Sequence, residues 1–222
     1  MGFKGRTAII LGATGLTGNI LLQYLLEDAR YAKIKLFSRS SVGLDHAKLE
    51  EFLVDLFHFD SFQDEFRGDT VFCCIGTTAA KTPDKELYHK IDYGIPVAAA
   101  KIARRNGIPS FIVVSALGAD SDSRIFYNRV KGTMEMAILK RQIPKVHILQ
   151  PSLIGGNRKE NRTGERVFKQ IMKVVDPILI GGLEKYRSIR LEQIVQAMIW
   201  LDNHTYEKER IPSDELQKLA GP

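Results

Sequence analysis

From residue 7 to residue 149 the chain alternates short apolar segments with longer amphipathic ones, and few folds accommodate that rhythm. The short segments are rich in β-branched and aromatic residues and read as strands, whereas the longer ones repeat apolar side chains every three or four positions, as helices do. Strands are expected over residues 7–11, 34–37, 52–54, 71–75, 111–114 and 146–149. Helices are expected over residues 16–28, 85–106, 124–141, 164–174 and 191–203, with a short turn near 61–66. Repeated strand–helix–strand units bury a parallel sheet between layers of helix, which is an α/β architecture. Gly68 and Gly107 follow helical patterns, where a residue that tolerates positive φ closes the helix, and Pro96 is expected to kink the helix it interrupts. No Pro/Ser/Gly-rich linker divides the chain, so residues 1–222 are expected to form a single domain, with a core over about 1–150 and a small C-terminal lobe over about 151–222.

Composition removes several classes. At 44% hydrophobic and 26% charged the chain is an ordinary globular protein. The net charge of +6 hints at nucleic acid, but the excess Lys and Arg lie across residues 101–190 without a basic block or interleaved aromatics. They read as solvated helix faces, and no nucleic-acid partner is expected. No run approaches the ~18 apolar residues of a membrane span, and the first residues lead into a strand without a signal-peptide core. A cytoplasmic protein with no membrane partner is expected. Cys73 and Cys74 are neighbours on a strand and point to opposite faces, so they read as two buried thiols, not a disulfide or zinc site.

The first strand runs directly into Gly12-Ala13-Thr14-Gly15-Leu16-Thr17-Gly18, and a helix follows. Gly12 permits the tight turn, Gly15 lets the backbone approach a pyrophosphate, Gly18 lets helix and strand pack closely, and the helix N-terminus offers N–H groups to the anion. A dinucleotide cofactor is therefore expected. At the end of the second strand an NAD site usually carries an acid for the ribose hydroxyls. Here Ser38-Arg39-Ser40-Ser41 stands instead, with no acid before Asp45. Arg39 suits a 2′-phosphate, with Ser38 or Ser40 donating beside it, so the expected cofactor is NADP(H). After the third strand Asp55-Leu56 is placed to meet the adenine, and after the fourth Gly76-Thr77 faces the cofactor at the carboxyl edge of the sheet.

Tyr127 and Lys131 are four residues apart on a helix and share a face. Tyr31 and Lys35 have the same spacing but run into a strand, where it has no such meaning. Ser115 closes the strand before the Tyr127 helix, so Ser115, Tyr127 and Lys131 can converge at the sheet edge. In that arrangement Lys131 lowers the phenol's pKa and orients the nicotinamide ribose, Tyr127 exchanges the substrate proton, and Ser115 polarises the carbonyl. The Gly155-Gly156 pair opens a charged stretch to Glu165 that reads either as a plain solvated loop or as a lid, the latter with Arg158, Arg162 and Arg166 available to an anionic small-molecule substrate.

These segments resemble a known family, the short-chain dehydrogenase/reductases, and within it the atypical compact branch of Tat-interactive-protein-like NADP-binding proteins. The resemblance rests on Gly12 to Gly18, Ser38-Arg39, residues 72–78, Ile91-Asp92-Tyr93, residues 115–120, Tyr127 to Lys131, Gln150-Pro151 and residues 162–165. It implies a Rossmann-like, doubly wound parallel sheet, NADP(H), and catalysis by Ser115, Tyr127 and Lys131. It also implies cofactor contacts from Thr14, Leu16, Thr17 and Pro151. Many relatives carry Asn where this chain has Asp92, and some members of the branch bind NADP(H) as regulators without turnover.

Overall fold

The computed structural model describes residues 5–152, 154–155 and 181–221. The helix expected over 164–174 and most of the lid, including Arg158, Arg162 and Arg166, lie outside these residues. The main sheet is built from β1 (Arg6–Leu11), β2 (Tyr31–Ser38), β3 (Leu49–Leu53), β4 (Thr70–Cys73), β5 (Ser110–Val114) and β6 (Lys145–Gln150). β7 (Ile154–Gly155) and β8 (Ile189–Arg190) form a separate two-stranded ribbon, and β9 (Arg210–Pro212) returns to the main sheet beside β6. All seven main strands are parallel, in the order β3-β2-β1-β4-β5-β6-β9. The order reverses between β1 and β4, and the crevice at that reversal is where open α/β sheets bind ligands.

Strand alternation divides the core in two. Ile9, Leu11, Val71, Cys73, Phe111 and Val113 face one layer, formed by α3 (Ile95–Arg105) and α4 (Phe126–Leu139). Ala8, Ile10, Phe72 and Ile112 face the other, formed by α1 (Leu16–Glu27) and α5 (Leu191–Asn203). Both faces of the sheet are therefore covered, the doubly wound arrangement, with each fully buried aliphatic or Phe side chain contributing about 1.5–3 kcal/mol. Cys73 packs into the first layer and Cys74 against the second, as their adjacency on a strand requires.

The expected helix over 85–106 is three pieces. α2 (Lys85–His89) passes into a π-turn at Lys90–Gly94 before α3 begins. Pro96 falls in the first turn of α3, where its missing N–H is harmless, and Ile95 N–H reaches back five residues to the Lys90 carbonyl. The irregularity precedes the proline, so its signature is an i→i+5 turn and not a bend at Pro96. Gly107 ends α3 with φ +71°, as expected. Gly68 is not among the residues with positive φ; a side chain there would meet the Thr7 carbonyl at 3.0 Å, so close approach is its requirement.

At the amino edge of the sheet, far from the crevice, Asp202 closes α5 onto four strands. Its carboxylate accepts from Tyr31 (2.6 Å), Thr70 (2.5 Å) and Ser110 (3.2 Å) and pairs with Arg6 at 2.7 Å. Tyr31, the member of the misleading Tyr–Lys spacing, is thus a structural residue.

On β6, His147 is buried; its Nδ1 lies 3.0 Å from the Lys208 carbonyl, an acceptor, so Nδ1 carries the proton of the neutral ring. Nε2 has no partner among the described residues. Burial holds the imidazole pKa below its usual 6.5, against the opposing pull of the Lys208 carbonyl. The unfolded chain then binds a proton that the folded chain refuses, so stability should be level above about pH 6.5 and fall as pH drops below it, with a slope of at most about 1.4 kcal/mol per pH unit. Urea midpoints of the wild type and His147→Gln between pH 5 and 8 check this, since the variant should lose that part of the slope.

Candidate functional site

The glycine loop sits at the reversal of strand order. Gly12 has φ +86°, and a Cβ on it would lie 2.9 Å from the Cys74 carbonyl, so β1 and the loop after β4 touch here. A Cβ on Gly18 would come within 2.2 Å of the Gly12 carbonyl, which makes Gly18 the residue that lets α1 start against the strand end. Gly15 is the N-cap, in extended conformation, and a Cβ there would lie 3.2 Å from the same carbonyl. No side chain caps α1 and no acid occupies its first turn, so the N–H groups of Leu16, Thr17 and Gly18 are left to an anion, while Thr14, Gly15 and Leu16 are exposed beside them. This cradle fits a dinucleotide pyrophosphate.

The ends of β2 and β3 form its flank. Arg39 is exposed, as a 2′-phosphate ligand must be. Ser38 is buried and its hydroxyl donates to the Ser40 carbonyl at 2.8 Å, bracing the turn. Asp55 is exposed and caps its own turn, accepting from Phe57 N–H at 2.9 Å with Oδ2 2.8 Å from His58 Nδ1. Those bonds, the Phe57 amide foremost, lower its pKa. The Leu56 side chain is buried among Phe59 and Phe62, which leaves only its backbone for the adenine.

Beyond β4 the chain makes the contact that sequence reasoning left open. Asp92, in the π-turn, is fully buried; Oδ2 accepts from Thr77 N–H at 2.8 Å and Oδ1 lies 2.8 Å from Lys131 Nζ. Lys131 is only 4% exposed, and a Cβ on Gly76 would stand 3.5 Å from Asp92 Oδ1 and 3.6 Å from Lys131 Nζ. Gly76 therefore lets the sheet-edge loop lie over a buried ion pair. Burial is the largest influence on Lys131 and pulls its pKa down, but the nearby Asp92 carboxylate and Tyr127 outweigh it and leave the pKa raised.

Helix α4 carries Tyr127 in its first turn. Gly132 lets the helix approach the loop before it, since a Cβ there would lie 2.2 Å from the Asp120 carbonyl carbon. Tyr127 borders a cavity of about 630 Å³ that is also lined by Thr77, Thr82, Lys85, Tyr88 and Phe126. Ser115 directly follows the last residue of β5. It is buried, it is not among the cavity-lining residues, and its hydroxyl donates to Glu135 Oε1 at 2.5 Å. Gln150 and Arg210, at 3.0 Å and 2.7 Å, complete the donors around Glu135. Pro151 is buried and its carbonyl accepts from Leu117 N–H at 2.9 Å. The structure thus joins Tyr127 and Lys131 to the Gly76–Thr77 loop and draws the Ser115 hydroxyl elsewhere. Glu135 and Tyr88 were not found from sequence; a lone acid four residues past Lys131 on an otherwise apolar face was the available signal for the first.

A family model described as NAD(P)H-binding matches residues 12–147. Protein HTATIP2 of Rattus norvegicus is 28% identical over 200 residues, covering 88% of this chain and 81% of that protein. The mitochondrial protein FMP52 of Debaryomyces hansenii is 32% identical over 176 residues, 74% of each. Among solved structures, a UDP-glucuronic acid 4-epimerase from Bacillus cereus, in complex with NAD, superposes with a TM-score of 0.67 over 92% of this chain and 77% of that one. At 14% identity this last likeness shows the fold alone.

Proposed function

Because the chain belongs to the NAD(P)H-binding family, we propose that it is an NADP(H)-dependent oxidoreductase that moves a hydride to or from a carbonyl or alcohol substrate. One observation carries the reading: Tyr127 opens on a cavity of substrate size, one helical turn from a Lys131 fastened to the sheet-edge loop. The bound cofactor would supply the hydride. The chain's own part is to hold the pyrophosphate on the amides of Leu16, Thr17 and Gly18, to meet the 2′-phosphate with Arg39, and to hold the ribose with Lys131. Tyr127 gives the proton to the substrate oxygen, and the Lys131 ammonium stabilises the charge left behind. Among the described residues the cavity lining includes Lys85 and no carboxylate, which suits a neutral or anionic small molecule. Screening aldehydes, ketones and alcohols against NADPH or NADP⁺ absorbance tests the assignment.

A second reading, an NADP(H)-binding protein without turnover, is favoured by the engagement of Ser115 with Glu135. Tyr127→Phe separates the two. On cofactor choice, a charge-assisted contact from Arg39 to a phosphate is worth roughly 1.5–3 kcal/mol, a preference of about tenfold or more. NADPH should bind more tightly than NADH, and Arg39→Ala should erase the difference. Equal affinities in wild-type calorimetry would remove Arg39 from the site. No helix among the described residues is long and apolar enough to cross a membrane. The cytoplasm remains our expected compartment, although the FMP52 relative is named as mitochondrial, and cell fractionation decides between them.

A further inference from the structure

A carbonyl reduced at Tyr127 gains negative charge on its oxygen, and a second hydrogen-bond donor aimed at that oxygen stabilises it. Ser115 is the residue the sequence offers for this task, but a serine hydroxyl has one proton and this one is given to Glu135. A different hydroxyl-bearing residue lines the cavity. Tyr88, on α2, is 3% exposed and lines the cavity with Tyr127. Its ring packs edge-on against Phe126, the neighbour of Tyr127, with centroids 5.5 Å apart. Among the described residues its hydroxyl has no hydrogen-bond partner. Buried hydroxyls are ordinarily paired, so one left unpaired on a residue that lines a cavity points to a ligand atom.

We propose that the Tyr88 hydroxyl is the second donor to the substrate oxygen, in the role the sequence assigned to Ser115. The proposal rests on the oxidoreductase reading above. Burial first, and then the charges of Asp92 and Tyr127, raise the Tyr88 pKa above that of an ordinary phenol, so it keeps its proton. The division of labour follows. In the reducing direction a bound NADPH would supply the hydride to the carbonyl carbon, and as the C=O π bond breaks Tyr127 gives its proton to the oxygen. Tyr88 donates a hydrogen bond throughout and transfers nothing, and Tyr127 is reprotonated from solvent.

The test compares Tyr88→Phe with Ser115→Ala in the full chain. In urea, Tyr88→Phe should unfold at the same midpoint as the wild type or a higher one, because an unpaired hydroxyl has been removed, whereas Ser115→Ala should unfold earlier. Saturated with NADP⁺, which cannot reduce a carbonyl, the protein is titrated with benzaldehyde and with cyclohexanone. Tyr88→Phe should weaken whichever probe the wild type binds by about tenfold or more with NADP⁺ affinity unchanged, and Ser115→Ala should change it less than about threefold. A lower urea midpoint for Tyr88→Phe would show its hydroxyl paired within the fold and overturn the proposal. Probe binding and turnover that survive in Tyr88→Phe but fall in Ser115→Ala would overturn it while leaving the oxidoreductase reading intact. A wild-type protein that binds NADP⁺ yet neither binds nor reduces any carbonyl compound would overturn both.

Discussion

Tyr127→Phe should lower turnover by about 10²- to 10⁴-fold while NADPH affinity changes by less than about twofold. The substitution keeps the ring and removes one oxygen from a side chain that is 39% exposed at the cavity, so its effect on folding should be small. Cofactor affinity is spared because Asp92, 2.8 Å from Lys131 Nζ, still holds the ammonium once the phenol oxygen is gone. Lys131→Ala should damage both quantities, since it removes the ribose contact and leaves Asp92 buried without its cation. Once a substrate is found, steady-state kinetics and calorimetry on the two variants measure the split. Turnover that survives in Tyr127→Phe would take the phenol out of the mechanism and favour the binding-only reading.

What could be read from the sequence was local. Tyr127 and Lys131 share a helix face by spacing, and Gly12 and Gly18 announce a tight turn by their position after a strand, so those features needed no knowledge of the rest of the chain. The Tyr31–Lys35 pair shows the limit of spacing alone, because the same interval on β2 placed Tyr31 against Asp202, 171 positions away. The engagement of Ser115 was hidden for a similar reason: its partner Glu135 lies on the following helix, and only the packing of α4 against β5 brings the two to 2.5 Å. β9 escaped notice since Arg210-Ile211-Pro212 offers one apolar residue and a proline, and it becomes a strand only because β6 presents an unpaired edge. The π-turn at Lys90–Gly94 is invisible to a 3.6-residue period, yet it is the turn that carries Asp92 into the site.

Asp92 is where the largest stability effect should fall. Asp92→Ala strands the ammonium of Lys131 in a buried site and deprives Thr77 N–H of its acceptor, a change expected to cost about 3–5 kcal/mol in urea unfolding. Asp92→Asn is the more instructive variant, because the amide oxygen can still accept from Thr77 while the charge is gone. In the wild type the raised pKa of Lys131 means that the ion pair is intact below the ordinary lysine value of 10.5 and is lost only as pH rises through the still higher folded value. NADPH affinity should therefore be insensitive to Lys131 between pH 6 and 9. Without the carboxylate, burial acts on Lys131 with much less opposition and draws its pKa down, so the variant should bind NADPH progressively more weakly as pH rises across that interval. Asp92 is then a positioning residue that acts through Lys131, and the pH dependence of calorimetric affinity distinguishes this role from a purely structural one. A merely structural Asp92 would leave the affinity of the folded Asp92→Asn protein level with pH, because Lys131 would keep its charge without help.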